Sequence, residues 1–268
     1  MKLAFSTLGV PGLPLPDVVR LAGDCGYDGV ELRTHPEEPV HPGLLPVERA
    51  AVTAAFADAG VELLCLAGYV RVAASGPDGP VLEDLAELVR LAGELGAPYV
   101  RVFPGAGEPP AAEADTVAAR RLGAIAPLAA DSGVRVLLET HDSHSRAQDA
   151  VRILGPVGHG SIGALWDVLH TWRGGEQPES SLPALAPHLG YVQVKDVASA
   201  ENTAPLPLGT GVLPLAGCVG ALSASGWDGW LCWEYEKRWY PQAADFAQLA
   251  GPGREYLRGL VAAAPAAR

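Results

Sequence analysis

Short apolar runs and longer amphipathic stretches alternate along this chain from one end to the other. Eight of the runs read as β-strands: Lys2–Thr7, Gly29–Thr34, Glu62–Gly68, Tyr99–Pro104, Arg135–His141, Ile162–Asp167, Tyr191–Asp196 and Trp230–Glu236. Each is rich in Val, Leu or aromatic residues and is bounded by Gly, Pro, Asp or Ser, the residues that end strands. The stretches between them carry helical signals. Pro16–Gly26 places proline near a helix start and glycine just past its end, where a fixed φ and a free φ respectively suit the backbone. Pro46–Gly60, Val81–Gly96, Ala111–Gly133, Ser145–Gly155 and Leu213–Gly226 repeat the form, Ser180–Leu189 is a shorter version with two prolines, and Ala243–Ala263 supplies a last helix.

Strands that alternate with helices predict a parallel sheet. Eight such units in 268 residues predict an α/β fold of one domain over residues 1–268, a closed (β/α)8 barrel. The competing doubly wound open sheet would show a glycine-rich fingerprint after the first strand. Gly9-Val-Pro-Gly12 does not match it.

Composition narrows the function classes. An apolar fraction of 49% and a positive mean hydropathy predict a large core and argue against disorder. A net charge of −12 with mixed signs along the chain speaks against nucleic-acid binding, which needs a basic surface. Cys25, Cys65, Cys218 and Cys232 show no C-x-x-C spacing and sit in apolar surroundings, so they read as buried free thiols. The segment Met1–Thr7 lacks the apolar region of a secretory signal. No apolar stretch approaches the roughly 18 residues of a membrane span. The expectation is a cytoplasmic protein that acts on a small molecule, with no membrane partner.

The chemistry concentrates in the second half. Glu139, Asp167, Gln193 and Glu234 each lie at the end of an apolar strand-like run. Burying a carboxylate there is costly unless a cation meets it. In a barrel of this kind the active site lies at the C-terminal ends of the strands, so three carboxylates and an amide oxygen converge. Without a cation they would repel and their pKa values would rise. A shared divalent metal at the barrel mouth is the expectation. Side chains two apart on a strand share a face, which groups Leu137, Glu139 and His141, then Tyr191, Gln193 and Lys195, then Cys232, Glu234 and Glu236.

The ordered set Val30-Glu31-Leu32, Leu138-Glu139-Thr140-His141, Trp166-Asp167-Val168-Leu169-His170, Val194-Lys195-Asp196, Gly209-Thr210-Gly211 and Trp233-Glu234 resembles the xylose isomerase-like TIM-barrel superfamily. That group holds sugar isomerases, epimerases and related lyases. The resemblance implies a metal held by Glu139, Asp167, Gln193 and Glu234. It also implies a departure, since the family usually has His where this chain has Gln193. An all-oxygen ligand set favours Mn²⁺, with Mg²⁺ or Co²⁺ as alternatives, over Zn²⁺.

The implied reaction is isomerisation or epimerisation of a sugar or polyol through a metal-stabilised enediolate, with Glu139 and Glu234 moving protons. The alternative is a lyase of the same site, a dehydratase of keto-sugar, inosose or dehydroshikimate type. Supporting substrate contacts are expected from His170, His141 and Glu31, the last also placed to pair with Arg33. Lys195 and Arg238 are candidates for a substrate phosphate or carboxylate. Trp166, Trp172, Trp233 and Trp239 lie near strand ends, where one or two would stack on a sugar face. Gly209-Thr210-Gly211 reads as a tight loop that lets backbone approach the substrate. Relatives of this kind form dimers or tetramers, so a homodimer or homotetramer is implied.

Overall fold

The computed structural model describes residues 1–107 and 111–265; the other positions of the expected 1–268 domain lie outside the described residues. Eight parallel strands close into a barrel in sequence order. They are β1 (Lys2–Ser6), β2 (Gly29–Arg33), β3 (Glu62–Arg71), β4 (Tyr99–Phe103), β5 (Arg135–Glu139), β6 (Ile162–Asp167), β7 (Leu189–Val194) and β8 (Trp230–Trp233). Closure comes from β1 pairing with β8, Lys2 opposite Trp230 and Phe5 opposite Trp233. Around them lie α1 (Leu15–Cys25), α2 (Pro46–Ala59), α3 (Asp78–Leu95), α4 (Ala111–Asp131), α5 (Ala147–Val157), α6 (Val168–Arg173), α7 (Pro178–Leu185), α8 (Leu215–Ala224) and α9 (Phe246–Ala263). None of the described helices is long and apolar enough to cross a membrane.

The glycine stops work as expected. Gly26 and Gly96 end α1 and α3 in the left-handed region, at φ 75° and 76°, which costs a residue without Cβ nothing.

Two apolar layers result. The larger lies between strands and helices and holds Phe5, Leu66, Val100, Trp166, Trp233 and Phe246. The smaller fills the barrel interior with Ala4, Leu64, Cys65, Leu137, Leu165, Tyr191, Trp230 and Cys232. Leu137, Tyr191 and Cys232 therefore face inward, as the period-two pattern requires.

Several boundaries shift. β3 runs three residues past Gly68, to Arg71. β7 starts at Leu189 and stops at Val194, and β8 stops at Trp233, so Lys195, Glu234 and Glu236 lie just beyond their strands. The sequence pattern did not show α6, which is six residues long and too short for helical periodicity to register. Cys65, Cys218 and Cys232 are buried free thiols, whereas Cys25, at the end of α1, is only half-buried.

Candidate active site

The strand ends surround a cavity of about 320 Å³. Glu139, Glu234, Glu236 and Arg101 line it together with His141 and His170. Tyr69, Phe103 and Trp239 add aromatic walls. A second groove of about 530 Å³ runs past His35, His41 and Asp84 and contains none of Glu139, Asp167, Gln193 and Glu234.

Below the cavity is a buried ionic cluster. Glu31, Glu139, Asp167 and Glu234 are buried there with only two buried cations, Arg101 and Lys195. Lys195 draws three carboxylates together. Its Nζ donates to Glu234 and, at 2.7 Å, to Glu236 Oε1, and it lies 2.8 Å from Asp167 Oδ2. Burial alone would lower the ammonium's pKa, but Asp167, Glu234 and Glu236 outweigh it and hold the pKa well above its usual value. Lys195 is thus the internal counter-ion of the cluster. Arg238 also already has partners: Nη2 lies 2.5 Å from Glu37 Oε2 at the surface, and it does not line the cavity.

Gln193 is held by carboxylates. Its Nε2 donates to Glu31 at 2.9 and 3.1 Å and to Glu234 at 3.1 Å. A carboxylate only accepts, so these bonds fix which end of the amide faces Glu31 and Glu234. Gln193 Oε1 is left buried without a donor. Asp167 shows a similar division. Its Oδ1 caps α6, accepting from Leu169 N at 2.8 Å and His170 N at 3.4 Å, while Oδ2 has no hydrogen bond of good angle. Glu139 Oε2, 3.3 Å from Arg101 Nη1, is also without one. Gln193 Oε1 on β7 thus has no donor, which is rare for a buried acceptor, whereas Glu139 Oε2 on β5 and Asp167 Oδ2 on β6 meet only the guanidinium of Arg101 and the ammonium of Lys195, in ion pairs. With the surplus of negative charge, this donor set fits a divalent cation.

A second set overlaps it. One ligand atom each from Glu139, His141 and His170 lie within 4.8 Å of one another and could hold a metal ion. The two rings pack at a centroid distance of 4.1 Å. Burial, then the charges of His141 and Lys195, push the His170 pKa well below its usual value, so its ring is neutral and can donate a lone pair. Burial would also lower His141, but Asp142 and Glu139 reverse that and raise it. Glu139 is pushed up to about 8, chiefly by burial, against the pull of Arg101 and His141 and with help from the charges of Glu234 and Asp167.

Glu31 does not pair with Arg33. It accepts from the Tyr191 hydroxyl and from Gln193 inside the barrel, fully buried, while Arg33 bonds Tyr69 and Glu38. The Gly209-Thr210-Gly211 loop closes on the protein itself. Asp196 accepts from Gly209 N and Gly211 N, both at 2.9 Å, and from Leu213 N at 3.2 Å. Of the four tryptophans near strand ends, only Trp239 lines the cavity.

Arg101 escaped the sequence reading. It sits mid-strand in Tyr99-Val-Arg-Val-Phe, 1% exposed, with its guanidinium carbon 3.9 Å from the Phe103 ring centroid. The available signal was a cation at an inward position of an apolar strand, which implies a buried anion opposite.

A family profile described as xylose isomerase-like TIM barrel matches residues 19–259. The chain is 26% identical, over 192 residues, to a 3-dehydroshikimate dehydratase of Bacillus anthracis, covering 69% of this chain and 67% of that one. Among solved structures, D-psicose 3-epimerase from Clostridium cellulolyticum H10 with D-tagatose superposes with a TM-score of 0.84 at 14% identity, covering 97% of this chain and 99% of that one. The IOLI protein with a bound zinc atom superposes with a TM-score of 0.83 at 19% identity, covering 98% of each chain.

Proposed function

The chain belongs to the xylose isomerase-like TIM-barrel family, and from that we propose that it is a divalent-metal-dependent isomerase or epimerase of a small polyhydroxylated ketone. One observation carries the reading. Gln193 Oε1 has no donor, and the carboxylates of Glu31, Glu139, Asp167 and Glu234 are buried with two cations, Arg101 and Lys195, between them, directly beneath a cavity that Glu139 and Glu234 both line. Glu139, Asp167, Gln193 and Glu234 would hold the metal, which supplies Lewis-acid stabilisation of charge on the substrate oxygens. The oxygen-rich set favours Mn²⁺.

The side chains divide the remaining work. One of Glu139 and Glu234 takes the proton from the carbon beside the carbonyl, and the electron pair of that C–H bond moves onto the carbonyl oxygen. The other carboxylic acid returns a proton. Return to the opposite face of the same carbon epimerises; return to the former carbonyl carbon isomerises, with the proton of the neighbouring hydroxyl passing to the former carbonyl oxygen as that hydroxyl becomes the new carbonyl. Neutral His170 is placed to hydrogen-bond a substrate oxygen. Lys195 keeps Asp167 and Glu234 together without entering the cavity. Dehydration is the second reading, favoured by the similarity to the 3-dehydroshikimate dehydratase. It needs the same proton abstraction followed by loss of a β-hydroxyl.

The test is turnover of a ketose panel by the Mn²⁺-loaded protein, with ultraviolet absorbance following any conjugated enone. Glu139→Gln and Glu234→Gln should each cut turnover at least about 100-fold while the melting curve stays cooperative. Asp167→Asn should weaken Mn²⁺ binding, measured by calorimetry, about 10- to 100-fold, and His141→Ala should leave it near the wild-type value. Turnover that survives either glutamate change refutes the proton-transfer roles. The reverse calorimetric pattern moves the metal to Glu139, His141 and His170.

A further inference from the structure

The cavity lining carries the carboxylates of Glu139, Asp142, Glu234 and Glu236 and three guanidinium groups: Arg101, which pairs with Glu139, and Arg71 and Arg173. Both arginines are exposed. Among the described residues neither side chain has a salt bridge or a hydrogen bond. Other arginines near this end of the barrel are engaged: Arg33 pairs with Glu38, and Arg238 with Glu37. The chain has 31 acidic residues against 19 basic ones. Two guanidiniums with no partner among the described residues therefore face one small cavity, where they are free to meet an anion.

Their placement is built into the fold. Arg71 ends β3, and its aliphatic stem lies on Gly105. A Cβ on Gly105 would come 2.5 Å from Arg71 Cγ, and the backbone there has φ +59°, so glycine suits this close approach. Arg173 is the last residue of α6, the short helix that Asp167 caps.

We propose that the substrate carries an anionic group, a carboxylate or a phosphate, that Arg71 and Arg173 hold away from its reacting carbonyl. The proposal rests on the isomerase reading for the meaning of the carboxylates and deepens it by naming the substrate class. Guanidinium groups suit both anions because their parallel N–H donors match paired oxygens. The cavity then acts as an orienting field. The carbonyl end goes to the residues that would hold the metal, and the anionic end goes to the arginines.

A matched trio tests this: D-fructose, D-fructose 6-phosphate and D-fructuronate share a carbon chain and differ in one terminal group. Binding to the full-length, Mn²⁺-loaded protein is measured by calorimetry, with no turnover required. One of the anions should bind about 10- to 100-fold tighter than fructose, the value of a hydrogen bond to a charged group, and which one it is tells phosphate from carboxylate. Arg71→Gln and Arg173→Gln, both at exposed positions, should shrink that advantage, read in each variant as the ratio of the anion's Kd to that of fructose. Added salt should also shrink it. Equal binding of all three sugars, an advantage that survives both substitutions, or no detectable binding of either anion overturns the proposal. Tight, arginine-dependent anion binding without turnover of any ketose sinks the isomerase reading alone.

Discussion

Replacing Lys195 by Met leaves a chain of similar length without its charge, in a place where charge is what holds the cluster. Lys195 is 3% exposed and lies among Asp167, Glu234 and Glu236, whose side chains are 0%, 5% and 20% exposed. Removing one partner of a buried ion pair costs about 3–5 kcal/mol, because the remaining charge is left uncompensated. Three carboxylates share this ammonium, so the upper part of that range is expected at pH 8. At roughly 2–4 °C per kcal/mol for a chain of this size, the melting temperature should fall by about 10–15 °C.

The sign of the pH dependence follows. Burial already raises the Glu236 carboxyl above its usual range against the pull of Lys195, and loss of the ammonium raises it further. The folded state then binds more protons, so the variant loses stability as pH rises through the raised values and regains it towards pH 5. Thermal and urea denaturation of both proteins between pH 5 and 8 checks this. Mn²⁺ should restore part of the loss at pH 8, since a ligand of the folded state stabilises it by mass action. A variant within about 1 kcal/mol of wild type at pH 8 refutes the reasoning, as does a deficit that stays constant with pH.

Two other expectations concern the scaffold. Gly253→Ala, inside α9, would ordinarily stabilise a helix by about 1 kcal/mol. Here the added Cβ would press on the ring of the fully buried Trp233, so urea denaturation should instead show a loss of about 1–3 kcal/mol. Asp78 is held down to about 2 by hydrogen bonds from Arg120 and Arg121. Its stabilising contribution is complete above the unfolded value near 4 and is lost as pH falls towards 2. Asp78→Asn should therefore flatten the acid limb of the stability curve in that window; an unchanged limb refutes the assignment.

Much of the architecture was legible in the chain because it depends on local periodicity. Residues two apart on one strand share a face whatever the neighbouring strands do, so Leu137 with Glu139 and Tyr191 with Gln193 could be grouped inward before any fold was known. Glycine and proline marked the helix ends for similarly local reasons. The short helix α6 was lost because six residues carry too little pattern, and its cap, Asp167, had already been read as a metal ligand.

The site was legible only as a set of residue types at strand ends. Sequence by itself placed Glu139, Asp167, Gln193 and Glu234 at neighbouring mouths of one barrel. Which atom of each finds a partner depends on residues far away in the chain: Gln193 Nε2 is taken by Glu31, 162 positions earlier, and Glu234 by Lys195, 39 positions earlier. Hydrogen bonds are directional and short-ranged, so only the closed barrel decides them. That closure sets Lys195 among the carboxylates of Asp167, Glu234 and Glu236. It also leaves Gln193 Oε1 without a donor and brings Arg71 and Arg173, from β3 and α6, to one cavity.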